Sequence, residues 1–451
     1  MKDLKNTLYN LINNLKYEVC NYDIYGYKLN NLNNLKYNIC SSSKSVLKED
    51  FMMYEMNNLT YIGIGKAIEV KVTSKKIIIE CRESKVKKVE YFTSLNNLLK
   101  QIQEALEENN ISNFGYINYN LAKYLYQCND SDKDEELLYF FVPTIEVKLS
   151  KGNMSVSYLN KNPFNDLDEI YKEMTVNHLP LKHDTEESLL NQKSDLYKKN
   201  VDKAVEDIKN KIYSKVILSR KINISEKINM LHSYFLGLKI NNPARSYLYN
   251  INGMELFGFS PETIVQVDNN NKVLTFPLAG TRKNKEHLKK ELLTDIKEVG
   301  EHAVSVKLAI EELKNVCKSD TIKVDEFMNI YERGSVQHLG SVVSGFLKNK
   351  NYWEALLALY PAVTASGIPK KESIQAIEKY EDTPRNLYSG GVFLINKDFG
   401  FDVALILRTV FQDKHETFAR AGAGIVEKSE PDRELEETRE KLNSIITALT
   451  L

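Results

Sequence analysis

Cysteine is scarce in this sequence of 451 residues, and its few copies are scattered along the chain. The five positions are Cys20, Cys40, Cys81, Cys128 and Cys317. An odd number of cysteines without the spacing of metal ligands argues against a disulfide scaffold. We therefore expect a reduced, cytoplasmic protein.

A net charge and long apolar runs are also missing. Lys and Arg together number 61, as do Asp and Glu, so no bulk field attracts nucleic acid or an anionic membrane. No apolar run reaches the roughly 18 residues that span a bilayer, and residues 1–17 lack the apolar stretch of a signal peptide. We expect a protein that binds neither nucleic acid nor membranes.

The first part of the chain shows both helical and strand periodicity. Leucines at helical spacing predict an amphipathic helix near the start (Leu4, Leu8, Leu11, Leu15). Residues 67–80 and 138–159 each predict two strands joined by a turn, which in the second case lies at Gly152 and Asn153. Residues 160–195 are polar and aperiodic, which indicates a surface excursion or a seam between two halves.

The second part is richer in glycine, proline and short apolar runs. A helix is predicted from Tyr197 to Ile212, followed by a strand over 214–224. The strands that follow come in clusters and do not alternate strictly with helices. This arrangement favours an α+β fold over a doubly wound one.

Two predicted helices, over 296–313 and 433–449, carry paired glutamates beside an apolar stripe. The stripes are Val299, Ala303, Val306, Ile310 and Leu313 in one helix and Leu435, Leu442, Ile446 and Leu449 in the other. The pairs, Glu298 with Glu301 and Glu434 with Glu437, stand in the same phase relative to their stripes. Like charges at this spacing repel each other, so four carboxylates that face one another need a cation.

Hard oxygen ligands without nearby cysteine favour Mg²⁺ completed by an anionic substrate, whereas the alternative is an ordinary solvated helix face. His302 is not counted as a ligand, because its helix phase differs from that of Glu298 and because oxygen ligands favour Mg²⁺ over zinc.

Several segments of the second part together resemble the chorismate-utilising enzymes. They are FGFSPE, PLAGTR, KEVGEHA, SVQHLGS, PAVTASGIPK, TPRNLYSGGVF and RAGAGIVEKSEPDRELEETREKL, in an order and spacing similar to that family. The family comprises anthranilate, aminodeoxychorismate, isochorismate and salicylate synthases. The resemblance covers roughly residues 195–451. It implies a large single-domain α+β fold with two antiparallel sheets flanked by helices, in which residues 1–190 complete the fold and residues 191–451 form the chorismate-binding catalytic region.

Within the family, four positions distinguish the activities. Lys215 stands where members that use water carry a lysine base, Ala279 stands where aminodeoxychorismate synthases carry a lysine, and Thr364 with Ala365 resembles the salicylate type. The resemblance is therefore closest to salicylate synthases, which implies siderophore assembly as the usual context. The alternative is an isochorismate synthase that stops at isochorismate, and an anthranilate synthase component is less favoured. A catalytically silent relative is disfavoured because the expected catalytic residues are present.

The resemblance implies a monomer that binds chorismate and needs no amidotransferase subunit. It also implies that Lys215 activates water and that Glu262 protonates the leaving C4 oxygen, with its pKa raised by a shielded site. The structural alternatives are a surface lysine at a strand end and a glutamate that caps a turn.

Arg408 is a lone charge in an apolar strand, which indicates either a buried salt bridge or, with Tyr388, a grip on the pyruvyl carboxylate. Gly422 and Gly424 permit close backbone approach to a substrate carboxylate, or they serve strand packing only. His338 is either a contact to the substrate ring or a satisfied core histidine. The remaining residues expected to bind substrate are Gly280, Thr281, Thr364 and Lys441.

Overall fold

The computed structural model describes residues 2–24, 29–45, 47–107, 110–130, 132–164, 183–334 and 336–451. Two large sheets dominate it, and every strand pair in these residues is antiparallel. The predicted α+β fold with two antiparallel sheets flanked by helices is therefore confirmed. Most of the predicted surface excursion, residues 165–182, lies outside the described residues.

The strands are numbered along the chain. They are β1 (Glu18–Asp23), β2 (Phe51–Met56), β3 (Leu59–Ile64), β4 (Ile68–Thr73), β5 (Lys76–Cys81), β6 (Val86–Tyr91), β7 (Asn113–Ile117), β8 (Glu136–Val142), β9 (Ile145–Ser150), β10 (Asn153–Tyr158), β11 (Lys215–Ile224), β12 (Arg245–Ile251), β13 (Met254–Ser260), β14 (Thr263–Val267), β15 (Lys272–Thr275), β16 (Leu278–Lys283), β17 (Lys323–Arg333), β18 (Val336–Phe346), β19 (Gly367–Ile368), β20 (Gly391–Asn396), β21 (Gly400–Leu405), β22 (Thr409–Gln412) and β23 (Thr417–Ile425).

The helices are numbered in the same way. They are α1 (Lys2–Asn13), α2 (Leu29–Ser45), α3 (Leu95–Leu106), α4 (Asn120–Leu125), α5 (His183–Asn191), α6 (Ser194–Lys209), α7 (Met230–Ile240), α8 (Glu286–Thr294), α9 (Ile296–Val316), α10 (Tyr352–Leu359), α11 (Lys370–Tyr380) and α12 (Pro431–Ile446). Single 3₁₀ turns occupy Ser319–Thr321 and Val363–Ala365. None of the helices in the described residues is long and apolar enough to cross a membrane.

Both sheets take strands from both parts of the chain. The first sheet runs β1-β10-β9-β3-β2-β12-β13-β22-β23-β11-β19, and the second runs β16-β18-β15-β14-β21-β20-β7-β8-β4-β5-β6 with β17 paired to β18. An aromatic-rich core between the sheets takes side chains from each of them, for example Tyr54 and Tyr247 from the first and Phe114 and Phe141 from the second. Two further cores lie between the outer faces and the helices. Strands that are buried on both faces, such as β2 and β20, are nearly continuous apolar runs, whereas β1, β6 and β17 are largely exposed.

The chain passes from one sheet to the other at four short connections. Two of them, 65–67 and 143–144, join β3 to β4 and β8 to β9. The other two, 261–262 and 406–408, join β13 to β14 and β21 to β22, and we call this pair the second crossing. Its two connections are tied together: the Ser260 hydroxyl donates to the carbonyl of Leu405 over 2.6 Å. This crossing places two predicted site residues side by side.

The structure corrects several local predictions. Residues 138–159 form parts of three strands rather than two, because Pro143 and Thr144 carry the chain between the sheets. Arg408 does not lie within a strand, since β21 ends at Leu405 and β22 begins at Thr409. The predicted strands over 67–80 and 214–224 are present, and helices α1 and α6 end before Leu15 and Ile212.

The buried face of α9 differs from the predicted stripe. Its buried residues are Glu298, His302, Ser305, Val306, Ala309 and Leu313, whereas Val299, Ala303 and Ile310 are half-buried. Glu298 and His302 therefore share one face, contrary to the predicted difference in phase. In α12 the predicted stripe residues Leu435, Leu442 and Ile446 are buried, whereas Leu449, also buried, lies beyond the end of the helix at Ile446.

Candidate active site

A cavity of about 790 Å³, counting its open mouth, lies at the second crossing. All eleven residues predicted to act as catalysts or to bind substrate line it: Lys215, Glu262, Gly280, Thr281, His338, Thr364, Tyr388, Arg408, Gly422, Gly424 and Lys441. Its size is within the range of small-molecule sites. The structure thus brings these residues together, and their roles stay predictions.

Lys215 begins β11 and is buried, with 4% of its surface exposed. Its ammonium forms an ion pair with the Glu301 carboxylate of α9 over 2.7 Å. Gly424, on the neighbouring strand β23, makes room for this pair, because a Cβ there would lie 3.0 Å from Glu301 Oε1. The alternative of a surface lysine is wrong, because Lys215 is buried and is part of the cavity wall.

Glu262 lies at the second crossing and is 5% exposed. Burial raises the pKa of its carboxyl to about 8, although the Thr364 hydroxyl and the ammonium groups of Lys215 and Lys441 act to lower it. Thr364 Oγ1 donates a hydrogen bond to Glu262 Oε1 over 2.7 Å. A carboxylic acid with this pKa keeps its proton at neutral pH, as a general acid must.

Arg408 is one of the buried cations in the cavity wall, and it has a backbone φ of 49° at the point where the chain changes sheets. Its Nη2 donates to His338 Nε2 over 2.6 Å, and its Nη1 contacts the Arg333 carbonyl at 3.4 Å. Among the ion pairs of the described residues none involves Arg408, so the salt-bridge alternative finds no support. Burial and the nearby Arg333 lower the pKa of its guanidinium to about 10.

His338 connects Arg408 to the strand β16. Because a guanidinium can only donate, His338 Nε2 accepts and Nδ1 carries the proton, which faces the Gly280 carbonyl at 3.3 Å and the Thr281 hydroxyl at 3.1 Å. Burial first and Arg408 second hold the pKa of His338 well below its usual range. The ring is therefore neutral.

Lys441 reaches the cavity from α12. Its ammonium contacts Glu437 Oε1 at 2.7 Å and donates to the Gly422 carbonyl over 2.9 Å. A Cβ at Gly422 would lie 2.6 Å from the Leu218 carbonyl, so this glycine serves close strand packing as well as lining the cavity. Tyr388 adds its buried ring to the wall.

The four glutamates of the predicted metal cradle fall into two groups. Glu301 and Glu437 line the cavity, whereas Glu298 and Glu434 are buried behind it. Each carboxylate has a basic partner: Lys215 for Glu301, Lys441 for Glu437, Arg282 for Glu298 at 3.1 Å and Lys297 for Glu434 at 3.3 Å. In these side-chain positions, no three histidine, cysteine or carboxylate groups of the described chain are gathered closely enough to hold one metal ion.

The charges and hydrogen bonds of these glutamates nevertheless suit a bound cation. Burial and the neighbouring Glu437 raise the pKa of Glu434 to about 7, and burial and Glu301 raise that of Glu298. Burial also acts on Glu437, but the Lys441 ammonium holds its pKa below the usual value. Glu434 Oε2 is buried without a hydrogen-bond partner. An unsatisfied buried carboxylate oxygen is costly unless a donor or a cation reaches it.

Sequence reasoning missed a second buried arginine in the wall, Arg420 of β23. It pairs with Glu381 Oε2 at 3.2 Å, and Arg385 pairs with Glu381 Oε1 at 2.6 Å. Arg385 also donates to the carbonyls of Ala365 and Ile217, which lie in two walls of the cavity. The signal that could have identified Arg420 is the one used for Arg408, a lone charge among apolar strand residues.

His302, which was not counted as a metal ligand, contacts another side chain of the protein. Its Nε2 lies 2.7 Å from the Ser341 hydroxyl, and burial lowers its pKa to about 4.

Comparison with known proteins agrees with the predicted resemblance. Residues 48–447 match the family described as chorismate binding enzyme. A salicylate synthase from Mycolicibacterium paratuberculosis is 42% identical over 256 residues, which cover 55% of this chain and 57% of that protein. Component 1 of anthranilate synthase from Methanothermobacter thermautotrophicus is 30% identical over 347 residues, which cover 75% of this chain and 74% of that protein.

Solved structures show the same fold. An isochorismate synthase from Bacillus anthracis has a TM-score of 0.67 at 22% identity, over 90% of this chain and 98% of that one. Several other curated relatives, all anthranilate synthases, are matched over about half of their own length. The family match extends over most of the length of this chain. The protein therefore belongs to the chorismate-binding enzymes.

Proposed function

We propose that this protein is a salicylate synthase, which converts chorismate through isochorismate to salicylate and pyruvate. The observation that carries the proposal is the buried Arg408 guanidinium, which lines the cavity without a carboxylate partner among the described residues. Chorismate has two carboxylates, and a buried unpaired guanidinium gains most from a bidentate contact to such a group. The 42% identity to a salicylate synthase supports the same activity.

The first step needs a base for water and an acid for the leaving group. In our proposal, Lys215 takes a proton from water as the water oxygen attacks C2 of the ring. The ring double bonds shift, and the C4 oxygen leaves as water with the proton of Glu262. To accept a proton, the Lys215 amine must be neutral, so its ammonium must first release a proton to solvent and give up the ion pair with Glu301.

The second step removes pyruvate and needs no further acid or base. The hydrogen on C2 moves to the enolpyruvyl methylene while the C–O bond to the ring breaks, which leaves the aromatic ring of salicylate. This step needs a side chain held over the ring. In our proposal, Arg408, which contacts His338, and Tyr388 hold the pyruvyl carboxylate, and Thr364 and Ala365 line the same cavity.

We further propose that the enzyme is cytoplasmic and monomeric and acts with water and without an amidotransferase subunit. Glu298, Glu301, Glu434 and Glu437 would hold Mg²⁺, which as a hard cation prefers such oxygen ligands. When bound, Mg²⁺ would offset part of the negative charge of these glutamates and would bind the ring carboxylate of chorismate.

Product analysis tests the proposal. The purified protein is incubated with chorismate and MgCl₂, salicylate is followed by fluorescence and chromatography, and pyruvate is measured with lactate dehydrogenase. We expect equal amounts of salicylate and pyruvate. Isochorismate without pyruvate would instead identify an isochorismate synthase, and anthranilate formed with ammonia would identify an anthranilate synthase.

Two lysine variants of strand β11 distinguish the role of Lys215 as the proposed base from a general effect of replacing a lysine in this strand. Lys215→Ala should stop the formation of both products. Lys221→Ala, also on β11 but paired with Glu416 outside the cavity, should keep the wild-type rate. A Lys215→Ala variant that forms isochorismate at the wild-type rate would refute the role of Lys215.

A further inference from the structure

Arg385 contacts three segments of the cavity wall from behind. It is 3% exposed and is not itself part of the wall. Its Nη1 donates to the carbonyl of Ala365 over 2.6 Å, and its Nη2 donates to the carbonyl of Ile217 over 2.7 Å. Its guanidinium carbon lies 5.7 Å from the centre of the Tyr388 ring. Ile217, Ala365 and Tyr388 all line the cavity, so one guanidinium supports three separate parts of its wall.

The two carbonyl contacts bridge the space between strand β11 and the 3₁₀ turn Val363–Ala365. The pairing of β11 with β19 is short, and just beyond it Ile217 donates its backbone N–H to the Ser366 carbonyl over 2.8 Å. The carbonyls of Ile217 and Ala365 come next, and both accept from the guanidinium. Two carbonyls cannot bond to each other, so a donor must lie between them. The planar group therefore sets the distance between the turn and the strand.

Glu381 holds the guanidinium in this orientation. Its Oε1 lies 2.6 Å from Arg385 Nη2, and its Oε2 lies 3.0 Å from Arg385 Nε. One edge of the guanidinium thus binds the carboxylate through two hydrogen bonds, while the remaining N–H groups face the wall. A lysine ammonium at this position would be a point charge, which cannot span the carboxylate and both carbonyls.

The wall that Arg385 supports is the part of the cavity that the second step of the proposed reaction needs. Pyruvate release requires the enolpyruvyl side chain to be held over the ring, whereas water addition uses Lys215 and Glu262. Neither of these two is a hydrogen-bond partner of Arg385. Lys215 pairs with Glu301, and burial favours the protonated form of Glu262. A change at Arg385 should therefore affect the second step more than the first.

We propose that Arg385 is a positioning residue that sets the distance between β11 and the turn of Thr364 and Ala365, and thereby favours pyruvate release over the escape of isochorismate. The inference rests on the proposed salicylate synthase activity and extends it to a residue outside the cavity. If the turn moves relative to β11, the cavity no longer holds the side chain over the ring. A misplacement of about 1 Å can cost about 10²-fold in rate. Isochorismate then leaves before pyruvate is released.

The ratio of products tests the inference in two variants. Arg385→Lys keeps a charge beside Glu381. Arg385→Met leaves Glu381 paired with Arg420 at 3.2 Å, and it serves as a second variant if the first does not fold. Each protein receives MgCl₂ with either chorismate or isochorismate, and isochorismate, salicylate and pyruvate are measured. We expect both variants to release isochorismate from chorismate, and kcat for pyruvate release from isochorismate to fall about tenfold to 10²-fold with little change in KM.

The matched control is Arg220→Lys. Arg220 belongs to β11, is 2% exposed and donates to the carbonyls of Leu190 over 2.9 Å and Gln192 over 2.7 Å, neither of which lines the cavity. Its replacement removes the same kind of contact, so it should lower the melting temperature and leave the product ratio unchanged.

Two results would overturn the inference alone. One is a wild-type ratio of salicylate to isochorismate in either folded Arg385 variant. The other is a loss of chorismate consumption as large as the loss of pyruvate release, which would indicate a general structural effect. If the wild-type protein releases no pyruvate from isochorismate, the proposed function fails and the inference fails with it.

Discussion

At the scale of single residues, Glu262 combines burial with one strong hydrogen bond. Its carboxyl is 5% exposed and accepts from the Thr364 hydroxyl over 2.7 Å. Burial favours the neutral acid, whereas the hydroxyl favours the carboxylate, and burial has the larger effect. The protonation state of Glu262 is therefore set by a balance that substitutions can shift in either direction.

Glu262→Gln should slow turnover by about 10²–10⁴-fold, since an amide cannot donate a proton to the leaving oxygen. In wild type the acid form is lost as the pH rises through about 8, so the rate should fall above that pH. The variant should lack this decline in its pH–rate profile. Glu255→Gln, on β13 and paired with Lys44 at 2.7 Å, is the control and should behave as wild type. An unchanged rate and profile in Glu262→Gln would return Glu262 to a structural role.

Thr364→Ala should move the alkaline decline in rate to higher pH. The substitution removes the donor that stabilises the Glu262 carboxylate, so the pKa of Glu262 should rise above about 8. Thr364→Ser keeps the hydroxyl and should keep the wild-type profile. The measurement is the pH dependence of kcat for the three proteins, and a decline at the same pH in all of them would contradict the role of this hydrogen bond.

At the scale of secondary-structure elements, the Glu381 ion-pair cluster connects the walls of the cavity. Glu381 follows α11 and pairs with Arg385 and with Arg420 of β23. Its Oε1 also accepts from the backbone N–H of Ser219 in β11 over 2.7 Å. One buried carboxylate thus holds two arginines and a strand, so two of the strands that carry cavity residues, β11 and β23, depend on it.

Glu381→Gln should destabilise the protein by about 3–5 kcal/mol, because it leaves two buried guanidinium groups without their counter-charge. Denaturation by urea measures the change. The control Glu378→Gln lies on α11, where Glu378 is 41% exposed, and should change the free energy of unfolding by less than about 0.5 kcal/mol. Equal stability of the two variants would show that the cluster contributes little.

Local sequence patterns predicted elements well where one periodicity dominates and poorly where the chain changes partners. The stripe of α12 was correct because its apolar residues are buried, Leu435 in one core and Leu442 and Ile446 in another. The stripe of α9 was wrong because buried polar residues, Glu298 and His302, occupy the face that apolar residues usually take. The break at Arg408 could not be seen either, since crossing between sheets leaves the apolar composition unchanged. The residues around the cavity were identified by their resemblance to a family, and their hydrogen-bond partners required coordinates.

At the scale of the whole molecule, the two parts of the chain share both sheets. Strand β2 pairs with β12, and β7 pairs with β20, so each sheet contains strands from before and after residue 190. We therefore propose that residues 1–190 complete one fold with the catalytic region 191–451. Removal of the first part would expose the edges of β12 and β20 and the aromatic core between the sheets.

The stability of the metal-free protein should fall as the pH rises from about 5 to 8. Folding raises the pKa of Glu262 to about 8 and that of Glu434 to about 7, so in this range the folded state holds protons that the unfolded state has already released. Each group contributes at most about 1.4 kcal/mol per pH unit. Urea denaturation in EDTA at several pH values measures the slope, which should be shallower in Glu262→Gln. A slope that is equal in both proteins would argue against the raised pKa of Glu262.

The strand order of the first sheet also sets the timing of assembly on the ribosome. Strand β11 lies between β19 and β23, and β23 begins at Thr417, far along the chain from Ile224 where β11 ends. At about 5–20 residues per second, translation delivers β23 roughly 10–40 s after β11. During that interval β11, with Lys215 at its start, lacks its long partner strand, and the nascent chain exposes an apolar edge. The proposed catalytic base therefore resides on a strand that waits for its long partner until nearly the whole chain has been made.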